Sequence, residues 1–242
     1  MRRAADKLSR AVTPLVVSEV FFAFDNLKPY ASTFTGRRID AVETRGKALL
    51  IHFDNDLSIY THNQLYGRWM IRPPYRYPVT NRQLRLAIHN ERQSALLYSA
   101  SEIEVLPRQQ LDVHPFLATL GPDVLTIKPR RVLEQLAAST HQRRRLGSLF
   151  LDQRFLAGIG NYLRSEILFV AGLHPRLRPV DCREDALERL ARAAVAVSRQ
   201  SYRHNGVTND LEMARQLRAQ GQPRSQYRHW VFARGDRPCR VC

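Results

Sequence analysis

The chain has 242 residues, room for one large domain or two modest ones, and its 44% hydrophobic content suits a packed globular protein. No apolar run approaches the roughly 18 residues of a membrane span, no apolar segment follows the basic Met1-Arg2-Arg3-Ala4, and three cysteines do not describe a disulfide framework. A soluble monomer of a reducing, cytoplasmic compartment is therefore expected, with no membrane partner. The 38 Lys and Arg against 22 Asp and Glu leave a net charge of +16, the balance of a protein whose partner is a polyanion. All but Lys7, Lys28, Lys47 and Lys128 are arginines, whose planar forks grip phosphate and stack on bases.

In chain order, Met1, Ala5, Leu8 and Val12 form one stripe of a helix over residues 1–12. No Ser, Thr, Asp or Asn precedes it, and a helix already running at residue 1 suggests sequence upstream. From Val16 to about Leu106 the pattern is that of strands. Ala48–Phe53 and Leu57–Thr61 flank the turn Asp54-Asn55-Asp56, and Leu84, Leu86 and Ile88 pair with a return over Ala95–Tyr98. This half reads as an antiparallel sandwich or barrel with a helix against it.

Near Gly121-Pro122-Asp123 the pattern turns helical. Helices are expected from Pro129 through Leu136, over about Arg143–Gln153, and from Asn161 to an end at His174-Pro175. A fourth should open at Asp181 as a capping box with Glu184. Residues 201–226 read as loop, and Tyr227–Phe232 as a strand leading into the terminal cysteines. These shifts divide the chain into 1–118, 119–226 and 227–242.

Several segments carry chemistry. The amides of Gly158-Ile159-Gly160 and of the helix that follows can face a phosphate without side-chain obstruction, a reading that the run Arg143-Arg144-Arg145 strengthens. αα-hairpins with glycine turns are nonetheless common. Cys239-x-x-Cys242 is half of a tetrahedral zinc site, since a structural zinc takes four ligands. His62 to Gly67 follows a strand, and its Gln64-Leu65-Tyr66 could enter a duplex, Leu65 wedging the gap left by an extruded base and Gln64 bonding the orphaned partner. On the residues alone, a plain hairpin with a chance glycine turn is the better reading. Lys47 opens an apolar strand, where a lysine is ordinarily just solvated.

Together the segments resemble the formamidopyrimidine-DNA glycosylase/endonuclease VIII family. The resemblance rests on Arg2–Asp6, Phe22–Tyr30 (FAFDNLKPY), Val42–Leu50 (VETRGKALL), Thr61–Trp69 (THNQLYGRW), Leu97–Glu104, His114–Val124, Leu151–Phe169 (LDQRFLAGIGNYLRSEILF) and the final CxxC, in order along the chain. FAFDNLKPY and QLYG look like the endonuclease VIII branch. The likeness implies an α+β multidomain fold: an N-terminal β-sandwich with a flanking helix, a helix–two-turn–helix domain and a zinc-finger hairpin, with DNA between the lobes. It implies a partner, double-stranded DNA carrying an oxidised base or abasic site, and a reaction. Oxidised pyrimidines are excised, and the strand is nicked by β/δ-elimination through a Schiff base.

By the same likeness Lys47 serves the elimination steps and contacts phosphate. Gln64, Leu65 and Tyr66 fill the duplex, Asn161 contacts DNA just after the Gly158–Gly160 turn, and Glu166 on the same helix as Asn161 orders the site. Cys239 and Cys242 hold a structural zinc, the one cofactor, in a site incomplete within these residues. The family's nucleophile is a proline next to the initiator Met and its acid/base a neighbouring Glu, and neither matches here; a fragment or a late start would explain this. A DNA-contacting Arg of the branch aligns with Thr119. The alternatives are a catalytically dead damaged-DNA-binding protein and a formamidopyrimidine-type glycosylase acting on oxidised purines.

Overall fold

The computed structural model describes residues 1–64 and 66–242, which form two compact units, Met1–Ala118 and Thr119–Cys242. In the first, helix α1 (Arg2–Val12) precedes strand β1 (Glu19–Phe22), a short helix α2 (Ala31–Phe34) and strands β2 (Ile39–Arg45), β3 (Ala48–Phe53), β4 (Leu57–His62), β5 (Arg68–Arg72), β6 (Leu84–His89), β7 (Ser94–Tyr98) and β8 (Glu102–Pro107). Two antiparallel four-stranded sheets result, ordered β1-β6-β7-β5 and β2-β3-β4-β8. Alternation fixes their faces. Leu49, Ile51 and Phe53 of one sheet meet Leu86, Ile88 and Leu97 of the other in a single core. Helix α1 closes it with Ala5, Leu8, Ala11 and Val12, packing on β2, β5 and β7, and it has no side-chain cap.

The hairpin turns follow from their residues. Asp56 adopts φ 61°, and Asn55 Oδ1 accepts from the Leu57 amide, an Asx turn joining β3 to β4. Gly46 at φ 60° allows β2 to reverse into β3 in two residues, which places Lys47 at the turn.

The second unit contains α3 (Pro129–Ala137), α4 (Leu146–Leu149), α5 (Asn161–Ala171), α6 (Glu184–Arg203), α7 (Leu211–Ala219) and α8 (Arg224–Tyr227). Val132, Leu136, Leu149, Phe155, Ile167, Leu190 and Ala194 build its core, with α3 and α5 against α6. Five expectations are corrected here. The helix expected over Arg143–Gln153 is one turn long, because the Leu146 and Gly147 amides bond to the Leu177 and Pro175 carbonyls. Helix α5 ends earlier than expected, at Gly172, whose φ of 68° supplies the left-handed C-cap. Asp181 does not cap α6: it accepts from the Arg178 amide and guanidinium, which hold its pKa at about 2. The segment read as loop contains α7 and α8, the former capped by Asp210, which accepts from the Met213 amide at 2.8 Å. Residues 227–232 form no strand: Tyr227 ends α8, and the amides of Trp230, Val231 and Phe232 go to a buried carboxylate instead of a partner strand. No helix among the described residues is long and apolar enough to cross a membrane.

Candidate active site and nucleic-acid interface

Lys47 is half-buried at the β2–β3 turn, and burial alone lowers its pKa below the ordinary lysine value. The nearby carboxylates have other partners. Arg45 pairs with Asp112 at 2.6 Å and Glu43 at 3.3 Å, and Glu43 also faces His52 Nε2 at 3.3 Å, the contact that most lowers its pKa. His52 Nδ1 lies 2.8 Å from Ser58 Oγ, so Ser58, His52 and Glu43 line up like a nucleophile, base and acid. Ser58 is fully buried, however, and no substrate reaches it.

At the end of β4 the structure places Gln64 and Tyr66 on one tight tip; Leu65 lies outside the described residues. Gln64 has a left-handed backbone, φ 47°, and Tyr66 is 70% exposed, far more than a ring kept for packing. Glu102 and Arg82, which sequence reasoning missed, both hold this tip. Glu102 stands opposite His62 in the β4–β8 ladder, a pairing that only the fold reveals.

In the second unit, Gly158 has φ 95°, which favours glycine, and its amide donates to Gln153 Oε1 at 2.9 Å. Gln153 Nε2 in turn donates to the Ile159 carbonyl at 2.9 Å, so one side chain fixes the whole turn. Gly121 packs behind it: a Cβ there would lie 2.2 Å from the Arg154 carbonyl oxygen. Gly160 is the N-cap of α5 and offers no side-chain cap, which leaves the first amides of α5 beside an exposed Asn161. Of the basic run, Arg144 is committed to Asp152 at 2.7 Å, whereas Arg143 and Arg145 are exposed.

Glu166, one turn further along α5, is fully buried. It accepts from the amides of Trp230 at 2.8 Å and of Val231 and Phe232 at 2.9 Å, and from the Thr208 hydroxyl. A carboxylate only accepts, so the Thr208 proton points to it and the Thr208 oxygen accepts from His229 Nδ1–H at 2.8 Å. His229 thereby carries a proton on Nδ1, and burial, aided by the Arg228 charge, lowers its pKa to about 4. Glu166 thus anchors the start of the C-terminal segment rather than facing solvent.

Cys239 and Cys242 are exposed free thiols. The backbone amides of residues 240–242 and the Cys242 thiol lower the Cys239 pKa to about 7. Among the described residues no group of three or more potential ligands gathers, so the donors present fit half of a tetrahedral shell.

Comparison with known proteins adds the following. Residues 3–100 match the formamidopyrimidine-DNA glycosylase N-terminal domain and residues 120–212 the formamidopyrimidine-DNA glycosylase H2TH domain. The chain is 43% identical over 244 residues to endonuclease 8 of Escherichia coli strain K12 / DH10B, covering 100% of this chain and 89% of that protein. It is 44% identical over 212 residues to endonuclease 8 of Pectobacterium carotovorum subsp. carotovorum strain PC1, covering 87% and 81%. Its fold is similar to the Lactococcus lactis formamidopyrimidine-DNA glycosylase non-covalently bound to abasic-site DNA, with TM-score 0.78, 15% identity, and coverage of 98% of this chain and 88% of that one. The same bacterium's enzyme complexed with DNA containing a formamidopyrimidine lesion gives TM-score 0.79 at 16% identity, covering 99% and 89%.

Proposed function

We propose a function from the premise that this chain belongs to the formamidopyrimidine-DNA glycosylase/endonuclease VIII family: it is a base-excision DNA-repair protein, a glycosylase with abasic-site lyase chemistry. The observation that carries the reading is the 43% identity to an endonuclease 8 along the whole chain. Within it, we assign oxidised pyrimidines as the substrate class on the strength of the Gln64-Leu65-Tyr66 tip.

In this chemistry an amine attacks C1′ of the damaged nucleotide, the base leaves, and a Schiff base forms. Elimination then breaks the C3′–O bond and afterwards the C5′–O bond. Lys47 suits the elimination steps, because burial lowers its pKa below the ordinary lysine value and so favours the neutral amine that can take and return a proton. Gln64 and Tyr66 occupy the gap left by the extruded nucleotide. The Gly158–Gly160 turn and the opening amides of α5, with Asn161, receive a backbone phosphate. In the C-terminal segment Cys239 and Cys242 would supply two ligands to a structural zinc, which would hold that segment folded, and Glu166 ties the segment to α5.

The experiment supplies the family's amine by joining Met-Pro-Glu-Gly-Pro-Glu ahead of Arg2, with the initiator Met removed. Thymine-glycol and 8-oxoguanine duplexes are then compared, with borohydride trapping on an abasic duplex. Faster excision of thymine glycol and a trapped complex are expected. Preference for 8-oxoguanine would move the protein to oxidised purines, and binding without trapping would refute the lyase assignment.

A further inference from the structure

The tip that carries Gln64 and Tyr66 is clamped from two sides. The Gly67 amide donates to the Asn63 carbonyl at 2.8 Å, and a Cβ on Gly67 would stand 2.6 Å from Asn63 Cα, so the turn closes only with glycine. The Arg82 guanidinium donates to the Tyr66 carbonyl at 2.8 Å. On the other side, Glu102 Oε1 accepts from the Tyr60 hydroxyl at 3.0 Å. Its Oε2 lies 3.4 Å from His62 Nδ1 and accepts from Gln64 Nε2 at 3.4 Å. Packing of the His62 ring against Phe116, with centroids 5.0 Å apart, braces that side.

The chemistry of this contact decides which way the Gln64 amide faces. A glutamine amide can turn over, exchanging its oxygen and nitrogen, and in isolation both orientations are open. A carboxylate cannot donate, so Glu102 admits only the orientation with Nε2 toward it. Gln64 is then left with its Oε1 acceptor and one N–H for a ligand. Resting on the function proposed above, we propose that Glu102 is a positioning residue that fixes the orientation of the Gln64 amide, and through it the preference for the base opposite the lesion.

Glu102→Gln removes the constraint while keeping the shape, because the carboxamide that replaces the carboxylate can offer either a donor or an acceptor to Gln64. Affinity is measured for duplexes with a tetrahydrofuran abasic analogue opposite A, C, G or T, in wild type, Glu102→Gln, Gln64→Ala and the double variant. Emission of 2-aminopurine placed opposite the analogue is read in parallel. The spread of affinities across opposite bases should shrink about threefold to tenfold in Glu102→Gln, the scale of one hydrogen bond. Emission should move to the Gln64→Ala level, and the double variant should match the single ones. Loss of one negative charge should strengthen binding to every duplex, the undamaged one included, by a common factor, so the spread across opposite bases is the readout. A wild-type spread and emission in Glu102→Gln, or losses that add in the double variant, would overturn the proposal while leaving the proposed function standing. A wild-type protein with no preference for the abasic duplex would overturn both.

Discussion

Removing the Glu166 carboxylate should release the C-terminal segment from α5 while the helical core stays folded. Three backbone amides and one hydroxyl converge on this fully buried group. Truncating one partner of a buried charged network costs about 3–5 kcal/mol, because the remaining donors lose their acceptor. In Glu166→Ala those donors are the amides of Trp230, Val231 and Phe232, and the cheapest relief is for the segment to lift into water. Glu166→Gln should cost about half as much. Its single oxygen can keep Val231 and Phe232, while its NH2 meets the Trp230 amide donor to donor. Hydrogen exchange read at these three amides tests this. Protection should be lost in the Ala variant and reduced chiefly at Trp230 in the Gln variant, with amides inside α6 unchanged. Wild-type protection at all three amides in both variants would refute the reasoning.

Further expectations concern glycine, pH and the lysine. Gly121→Ala puts a methyl 2.2 Å from a backbone oxygen, so it should destabilise the second unit by about 2–4 kcal/mol in chemical denaturation. A loss below about 0.5 kcal/mol would show that the turn relaxes freely. His229 titrates near 4 when folded against an ordinary 6.5, so between those values the unfolded chain holds the extra proton. Stability should be full above about pH 6.5 and fall, by at most about 3 kcal/mol, as pH drops toward 4. A His229→Phe variant with an unchanged pH slope would place the effect elsewhere. Lys47→Ala, in the protein carrying the Pro-Glu segment, should slow strand cleavage in a single-turnover assay at saturating DNA, about 100-fold on the scale of general acid–base catalysis. Cleavage at the unaltered rate would remove Lys47 from the elimination steps.

The parts of the fold visible in sequence were those set by local periodicity. The segments Ala48–Phe53 and Leu57–Thr61 flanking the Asp54–Asp56 turn specify a hairpin, and the stripe Ala5, Leu8, Val12 specifies α1. Where a distant group decides, local pattern misled. Residues 227–232 have the composition of a strand, yet the amides of Trp230, Val231 and Phe232 end on Glu166, some 60 residues earlier, a pairing that no local pattern reveals. Helix α7 was hidden by polar residues, although Asp210 three residues before Met213 was a readable cap. The candidate residues Lys47, Gln64 and Asn161 stood out through family resemblance. Glu102 did not, because its importance depends on β4 pairing with β8 across 40 residues.

The central claim, that this chain recognises damaged DNA, is tested most directly by equilibrium binding of the 242-residue protein to a duplex with one tetrahydrofuran site and to the same duplex undamaged, across a salt series. With a net charge of +16, both affinities should fall steeply with salt as counterions are released. The abasic duplex should remain at least about tenfold tighter at every salt, because an abasic nucleotide is the least costly to extrude. Equal affinities for the two duplexes throughout the series would mean that the positive charge holds DNA without reading damage, and would contradict the assignment.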